Sequence, residues 1–473
     1  MHKTTLMLIC ALLMALSAQG QAASAAETGA TDRLDVAVTV YNNDRALVRE
    51  SREFTLPDGE VTLKFMDVAE RIIPETVSLH SVNAPGKLHI LEQNYEYDLM
   101  SPQKLMEKYV GRGVRLISRD KDLGSFQYEA KLLSLNEGPV YEIDGEIYLG
   151  HPGNVVLPEI PEELIAKPTL LWLLQNQAEK HKVEVTYLTR GMSWKADYVV
   201  TLTRTEDELG LEGWVTLDNG SGATYADARL KLVAGEVNIV QETRAKDMRR
   251  AGAMAFAAEA APAPMREEAF AEYHLYTLPR RTTIKQNQTK QVRLLTADKV
   301  PARKVYQYRS RVQPGRSGGQ PGREPDHAGV FLRFDNEEDT NLGMPLPAGT
   351  MRVYQADSEG MLQLAGEDRI QHTPKDEEVE LRLGEAFDVI VERKQTDYRQ
   401  VSDEVHEVAV EVALRNHKKE AILVEIVESL PGDWEILSAS REHEKDDAHT
   451  VLFKAPVPAE GEAQVTYRVR MRL

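Results

Sequence analysis

Cysteine is almost missing from this chain, with Cys10 the single example in 473 residues. Past that position no disulfide can form, so stability has to come from burial of a core. Met7-Leu8-Ile9 in front of Cys10 lacks the small residues that a lipid-attachment site places before its cysteine. Long apolar runs are also missing: Leu6 to Leu16 falls well short of the roughly 20 residues that a membrane-spanning helix needs, and no later stretch reaches that length. Positive charge is scarce relative to negative, with 57 Lys and Arg against 75 Asp and Glu and a net charge of −18. Such a chain repels nucleic acid and anionic membrane surfaces, so no nucleic-acid partner is expected.

The usual local signatures of chemistry are missing too. Ser193 lies in Gly191-Met192-Ser193-Trp194, but a nucleophile elbow needs glycine on both sides at fixed spacing, and position 195 is Lys. Twelve histidines occur without a His-Glu-x-x-His spacing. Their nearest grouping, Glu442-His443-Glu444 with His449, reads as a polar loop. The acidic run Asp335-Asn336-Glu337-Glu338-Asp339 lacks the glycine and terminal Glu of a calcium-binding helix-loop-helix. Gly315 to Gly322 has glycines but no Gly-Lys-Ser/Thr ending and no helix after it, so it is no phosphate loop. No catalytic, cofactor-binding or metal-ligating residue is therefore assigned, and no cofactor is expected.

What is present begins with an export signal. His2 and Lys3 supply a basic start, Leu6 to Leu16 the apolar core, and Ala23-Ser24-Ala25 a small-residue cleavage site, with the cut expected near Ala25 or Ala26. The expected location is periplasmic or extracellular, with no transmembrane segment after cleavage. Beyond the signal, strand patterns dominate. Val36, Val38 and Val40 alternate with Ala37, Thr39 and Tyr41, and Ala46 to Phe54 leads through Leu56-Pro57-Asp58-Gly59 into Val61 to Met66. This reads as an antiparallel meander, continued by Thr76 to Val82 and Lys87 to Glu92. Ser101-Pro102 is a helix start and Gly111 its stop.

Five short strands are expected between Gly113 and Leu157, forming a small barrel-like insert. The run Leu170-Leu171-Trp172-Leu173-Leu174 fits a strand or a buried helix piece, and Pro168 before it favours a strand. Arg244 to Glu268 turns to Ala, Met, Glu and Pro and reads as a mobile loop, with an amphipathic helix over Ala251 to Ala261 as the alternative. Gln313 to Asp326 reads as a Gly- and Pro-rich linker or long hairpin loop, and Arg303 to Arg323 as a solvated basic loop. From Val405 the alternation Val408, Val410, Val412, Leu414 opens an immunoglobulin-like pattern without a cysteine pair.

The fold class expected is mainly β, with several antiparallel β-sandwich or barrel-like domains in series, an immunoglobulin-like C-terminal domain and little helix. The divisions are a signal peptide (1–26), an N-terminal β domain (27–98), the insert (99–157), a central β-sandwich (158–400) with flexible loops at 244–268 and 313–326, and the immunoglobulin-like domain (401–473). Two blocks carry the densest pattern, Val183 to Asn238 and Leu342 to Tyr398. Their aromatics Tyr187, Trp194, Tyr198, Trp214 and Tyr225 suit either a core or a sugar-binding groove. Trp194, Tyr198, Trp214 and Asp388 are the candidate groove or interaction residues.

Tyr187-Leu188-Thr189-Arg190-Gly191-Met192-Ser193-Trp194-Lys195-Ala196-Asp197-Tyr198 resembles the bacterial family known as domain of unknown function 4139, better known from a mucoidy inhibitor protein. The resemblance continues through Trp214 to Asn238, Tyr273-His274-Leu275-Tyr276, Gly343-Met344-Pro345-Leu346-Pro347-Ala348-Gly349, and Phe387-Asp388 to Asp397-Tyr398. The Val40-Tyr41 to Phe65 segment is similar to the domain that precedes the main one in that family. Many relatives carry a long coiled coil between those domains, whereas residues 99–157 here show no heptads. The resemblance implies fold and export, brings no catalytic residues, and by its name suggests a link to envelope polysaccharide. The expected function is an exported, non-enzymatic envelope protein that contacts another protein or a polysaccharide. The alternative is a carbohydrate-binding module or a glycosidase whose carboxylates, for instance Asp197 or Asp227 with Asp388, meet only in the fold.

Overall fold

The structure is a computed structural model that describes residues 25–96, 100–120, 124–150, 153–161, 164–235, 237–238, 265–313, 315 and 325–473. The expected signal peptide, the Ala251 to Ala261 helix and most of both expected loops lie outside the described residues. The described chain is mainly β, as its period-two patterns require. It divides into two compact units. The first comprises the described residues up to Ser193 together with Asp218–Lys231 and Arg280–Thr289; the second takes Trp194–Leu217, Leu232–Pro279 and Lys290–Leu473. No helix among the described residues is long and apolar enough to cross a membrane.

In the first unit, Arg33–Tyr41 and Arg45–Thr55 form an antiparallel hairpin, and Lys180–Thr189 pairs with the second of them. Ser78–Ser81 lies beyond Lys180–Thr189, and Tyr225–Ala234 flanks Arg33–Tyr41. The expected meander is corrected here. Gly59–Met66 leaves the hairpin's sheet and joins a second one, between Ala25–Thr28 and Thr169–Asn176, with Leu88–Glu96 at its far side. Alternation fixes which face of a strand is buried and leaves the pairing partner open, and the apolar face of Arg45–Thr55 needs a second layer over it. Val61, Leu63, Phe65, Leu170, Trp172 and Leu174 supply that layer, and Thr169–Asn176 is a strand as Pro168 suggested.

The helix is Pro102–Lys108, with the Ser101 hydroxyl accepting from Lys104 N at 3.1 Å. Five strands follow: Gly113–Asp120, Gly124–Ser134, Val140–Ile143, Glu146–Leu149 and Asn154–Val156. They form one antiparallel sheet with its own small core of Tyr109, Val114, Leu116, Leu132, Tyr141 and Ile143.

Two polar devices sit inside the first unit. Ala46, Val48, Glu50 and Arg52 occupy the same buried face of Arg45–Thr55, so a carboxylate and a guanidinium stand at core positions. Glu50 pairs with Arg33 and, at 2.9 Å, with Arg52. Arg52 also donates to Thr28 O at 3.0 Å and stacks 3.6 Å from the Phe65 ring centre. Burial pushes the Arg52 pKa down and Glu50 pulls against it. In the second device His181, fully buried, contacts Ser81 Oγ at 2.8 Å and Asn176 Oδ1 at 2.7 Å, and the Asn176 amide donates to the carbonyls of Pro57 and Ala178 at 2.7 Å.

The second unit holds a five-stranded sheet in the order Gln288–Pro301, Glu208–Asn219, Met192–Leu202, Gly349–Ala356, Leu362–Ile370. Its nine-stranded sheet runs Asp433–Ala439, Gly461–Arg472, Val405–Asn416, Glu378–Gln400, Asp326–Asp335, Arg303–Arg311, Ile422–Ser429, Thr450–Val457, His443–Asp447. The two halves of that sheet share one core, in which Phe453 and Tyr467 stack at 5.0 Å. The boundary drawn at 400/401 therefore falls within one hydrogen-bonded sheet, because Glu378–Gln400 pairs along Val405–Asn416. The basic loop expected from Arg303 is also corrected: Arg303–Arg311 is an inner strand, and Arg303, Lys304 and Arg309 are paired with Glu378, Glu206 and Glu380. Arg303 and Arg309 lie on the face opposite buried Tyr306 and Tyr308, whereas Lys304 shares the tyrosine face and is paired there with Glu206.

Removing the Glu50 charge while keeping its shape strands two buried guanidinium groups. Glu50→Gln should cost about 3–5 kcal/mol in urea unfolding. His181 has its pKa lowered by burial, so the unfolded chain binds its proton more tightly than the folded one. Stability should be complete above the ordinary histidine pKa of about 6.5 and fall as pH drops below it. A His181→Gln variant should show a flatter stability profile over that window.

Candidate functional site

The first densely patterned block builds the fold with its own side chains. Along Met192–Leu202, Met192, Trp194, Ala196, Tyr198, Val200 and Leu202 are buried, while Ser193, Lys195 and Asp197 point to the other face. Trp194 is only 4 % exposed, donates Nε1–H to Val233 O at 3.2 Å, and lies 6.4 Å from the Tyr276 ring. Tyr198 donates its hydroxyl to Pro347 O at 2.7 Å, and Tyr276 donates to Pro345 O at 2.9 Å. Burial raises the pKa of both tyrosines, so both hydroxyls stay protonated as donors. Gly349 closes this latch: a Cβ there would stand 2.4 Å from Ala196 O.

The acidic run at 335–339 is part of the same latch. Asn336, fully buried, donates to Met344 O and Pro374 O, both at 2.8 Å, and accepts from Gly343 N at 3.2 Å. Among the described residues no group of three or more His, Cys, Asp or Glu is placed to hold a metal ion.

The candidate groove residues separate. Trp194 and Tyr198 are core and offer no face to a ligand. Trp214 is half-buried, with the Arg293 guanidinium 4.9 Å from its ring centre. Asp197 is held by Thr216 at 3.0 Å, Arg352 at 3.3 Å and Lys195 at 3.5 Å. Asp227 belongs to the first unit and faces Arg281 at 3.8 Å. Asp227 borders a pocket of about 750 Å³ with Asp35, Asp67 and Arg281, and Asp388 reaches a second cleft.

That cleft forms where the pairing of Asp326–Asp335 with Glu378–Gln400 slips twice, between His327 and Gly329 and between Val330 and Phe331. Across the slips Gly384, Glu385, Phe387 and Asp388 are exposed, while Ala386 between them stays in the core. Phe387 is 87 % exposed, with the His327 ring stacked 6.4 Å away at 18°. On one side lies a cleft of about 230 Å³ bordered by Tyr306, Ala365, Phe387, Asp388 and Lys418. Tyr306 there has Lys304 Nζ at 5.6 Å and Lys418 Nζ at 5.9 Å from its ring. On the other side is a pocket of about 670 Å³ that includes Tyr308, Arg309, His327 and Glu380. Glu206 pairs with Lys304, Glu385 with Arg382 at 3.3 Å and Glu380 with Arg309 at 2.7 Å, so these carboxylates are occupied by cations. The arrangement offers ring, hydrocarbon and polar contacts, and in the larger pocket the Tyr308 hydroxyl donates to Asp326 at 3.0 Å.

Phe387, His327 and Tyr306 were not singled out in the sequence, although a signal was there. Buried positions run Val379 and Leu381, then Ala386, then Val389 and Val391, and each change of parity marks a slip.

A β-sandwich protein whose patterned residues maintain its layers is the class that this fold and site define. Residues 183–473 match the family described as "Domain of unknown function (DUF4139)", and the chain belongs to it. Among curated proteins compared with the chain, none matches. The match begins within Lys180–Thr189, a strand of the first unit, so the family region contributes to both units.

Trp194→Ala should cost about 3–5 kcal/mol by chemical unfolding, the loss expected for a buried tryptophan. Phe387→Ala should change stability by less than about 0.5 kcal/mol, as for surface sites away from structural features.

Proposed function

We propose that this protein is an exported, non-enzymatic component of the bacterial envelope that acts by contacting another envelope protein or a polysaccharide. One observation carries this reading: conspicuous polar side chains in and beside the patterned blocks are tied into the fold. Tyr198 and Tyr276 latch proline carbonyls, Asn336 ties a turn, and Asp197 is neutralised by Arg352 and Lys195. In the second block, Arg393 bonds Glu428 at 2.9 and 3.2 Å across the nine-stranded sheet. Burial opposes the Arg393 charge and Glu428 more than offsets it, raising its pKa. Side chains placed in this way hold strands and turns together. The turned-out Phe387, beside a mixed polar and apolar cleft, is the kind of group that docks against a partner surface.

Export rests on the basic, apolar and small-residue stretches that open the sequence. N-terminal sequencing of the protein recovered from the envelope fraction should begin near Ala26. The purified mature chain should turn over none of a broad panel of ester, peptide and glycoside substrates. Turnover that disappears on a single substitution would sink the non-enzymatic reading.

A further inference from the structure

The edge strand Glu146–Leu149 of the five-stranded insert is exposed at all four positions. It pairs in regular register with Val140–Ile143, Ile147 opposite Glu142 and Tyr148 opposite Tyr141. Tyr148 thus faces the side of the small core, while Ile147 and Leu149 face outward. Ile147 is 59 % exposed and Leu149 87 %. Phe126 and Tyr128, on Gly124–Ser134 one strand beyond Val140–Ile143, are exposed as well.

Folded proteins usually guard a sheet edge with charge, a bulge or brevity. Three other edges follow that rule. His443–Asp447 is titratable at every position and bulged between Lys445 and Asp447; Asp433–Ala439 is bulged between Ile436 and Ser438; Asn154–Val156 has three residues. Glu146–Leu149 has no bulge and presents Ile, Tyr and Leu.

The hairpin itself is acidic, and the one lysine in register with it is Lys131, opposite Glu142. Between Lys131 and Lys167 there is no lysine or arginine, against seven Asp and Glu residues. Glu142, Asp144 and Glu146 lie on the hairpin itself. Acidic polysaccharides and anionic lipid are disfavoured at such a surface. Aliphatic Ile147 and Leu149 add nothing to sugar stacking, whereas a paired strand would cover side chains on both faces at once.

We propose that Glu146–Leu149 is a docking edge for an extended, apolar polypeptide segment bearing lysine or arginine, taken from a partner protein by strand addition. Main-chain hydrogen bonds hold the incoming strand. Its alternate apolar side chains meet Tyr148 on one face and Ile147 and Leu149 on the other, and its cations meet Glu142, Asp144 and Glu146. The proposal rests on the interaction reading and names the partner's chemistry.

Two measurements on the full mature chain test it. A labelled octapeptide of alternating Lys and Val should bind saturably, and a Glu-Val counterpart should not. Leu149→Asp and Ile147→Pro should each weaken the Lys-Val complex about tenfold or more, which is at least about 1.4 kcal/mol. Should Ile147→Pro unfold the insert, Leu149→Asp at its exposed side chain carries the test alone. Equal binding of both peptides, no binding, or binding unaffected by Leu149→Asp overturns the site. In cells, a photoreactive residue at position 149 should crosslink to a peptide that carries Lys or Arg amid apolar residues. Crosslinks at position 387 alone would overturn this edge while leaving the interaction reading intact; catalytic turnover by the purified chain would overturn that reading instead.

Discussion

A guanidinium inside a β-sandwich must find a carboxylate, and each unit of this protein is organised around one such pair. In the first, Glu50 holds Arg33 and Arg52, and Arg52 in turn fixes Thr28 and covers Phe65. One carboxylate thereby ties Ala25–Thr28, the Arg33–Thr55 hairpin and Gly59–Met66, which belong to two different sheets. In the second, Glu428 takes both nitrogens of Arg393 and joins Glu378–Gln400 to Ile422–Ser429. Both carboxylates are fully buried. A buried pair is a weak source of net stability, yet an unpaired member is expensive, so the pairs penalise any register that separates them.

The same economy explains the proline-rich Gly343–Gly349 segment. Proline removes amide donors and leaves carbonyls, and the carbonyls of Pro345 and Pro347 receive the hydroxyls of Tyr276 and Tyr198. Close backbone approach does the rest. Gly191 has φ +84°, and a Cβ on it would stand 2.5 Å from Gly220 O, whose own amide donates to Gly191 O at 2.6 Å. Residues that look like a motif in the sequence thus include ones that let strands and turns approach closely.

Surfaces free of these duties are where function is sought. The slip beside Phe387 and the Glu146–Leu149 edge each leave apolar side chains at the surface. Exposure of this kind lowers the local stability that a sheet could have, and a partner that completes the edge or covers the ring recovers it.

Much of the architecture was legible in the sequence. Val36, Val38 and Val40 on one face, Ser101 capping Pro102–Lys108, five strands after Gly113, and the alternation from Val405 all appear in the structure, because side-chain direction in a strand and capping at a helix end are local matters. Pairing across distance was hidden. Gly59–Met66 crossing to a second sheet, Arg303–Arg311 becoming an inner strand, and the sharing of one sheet by residues on both sides of 400 depend on which apolar faces meet. Glu50 and Arg52 read as surface residues until their parity with Ala46 and Val48 places them inward. By itself the sequence determined the β content, the faces of the strands and the turn chemistry, all set within a few residues by backbone sterics and periodicity. Only the tertiary structure decided that Trp194 and Tyr198 are core and that Phe387 and Leu149 are surface, since exposure is a property of what packs above a strand.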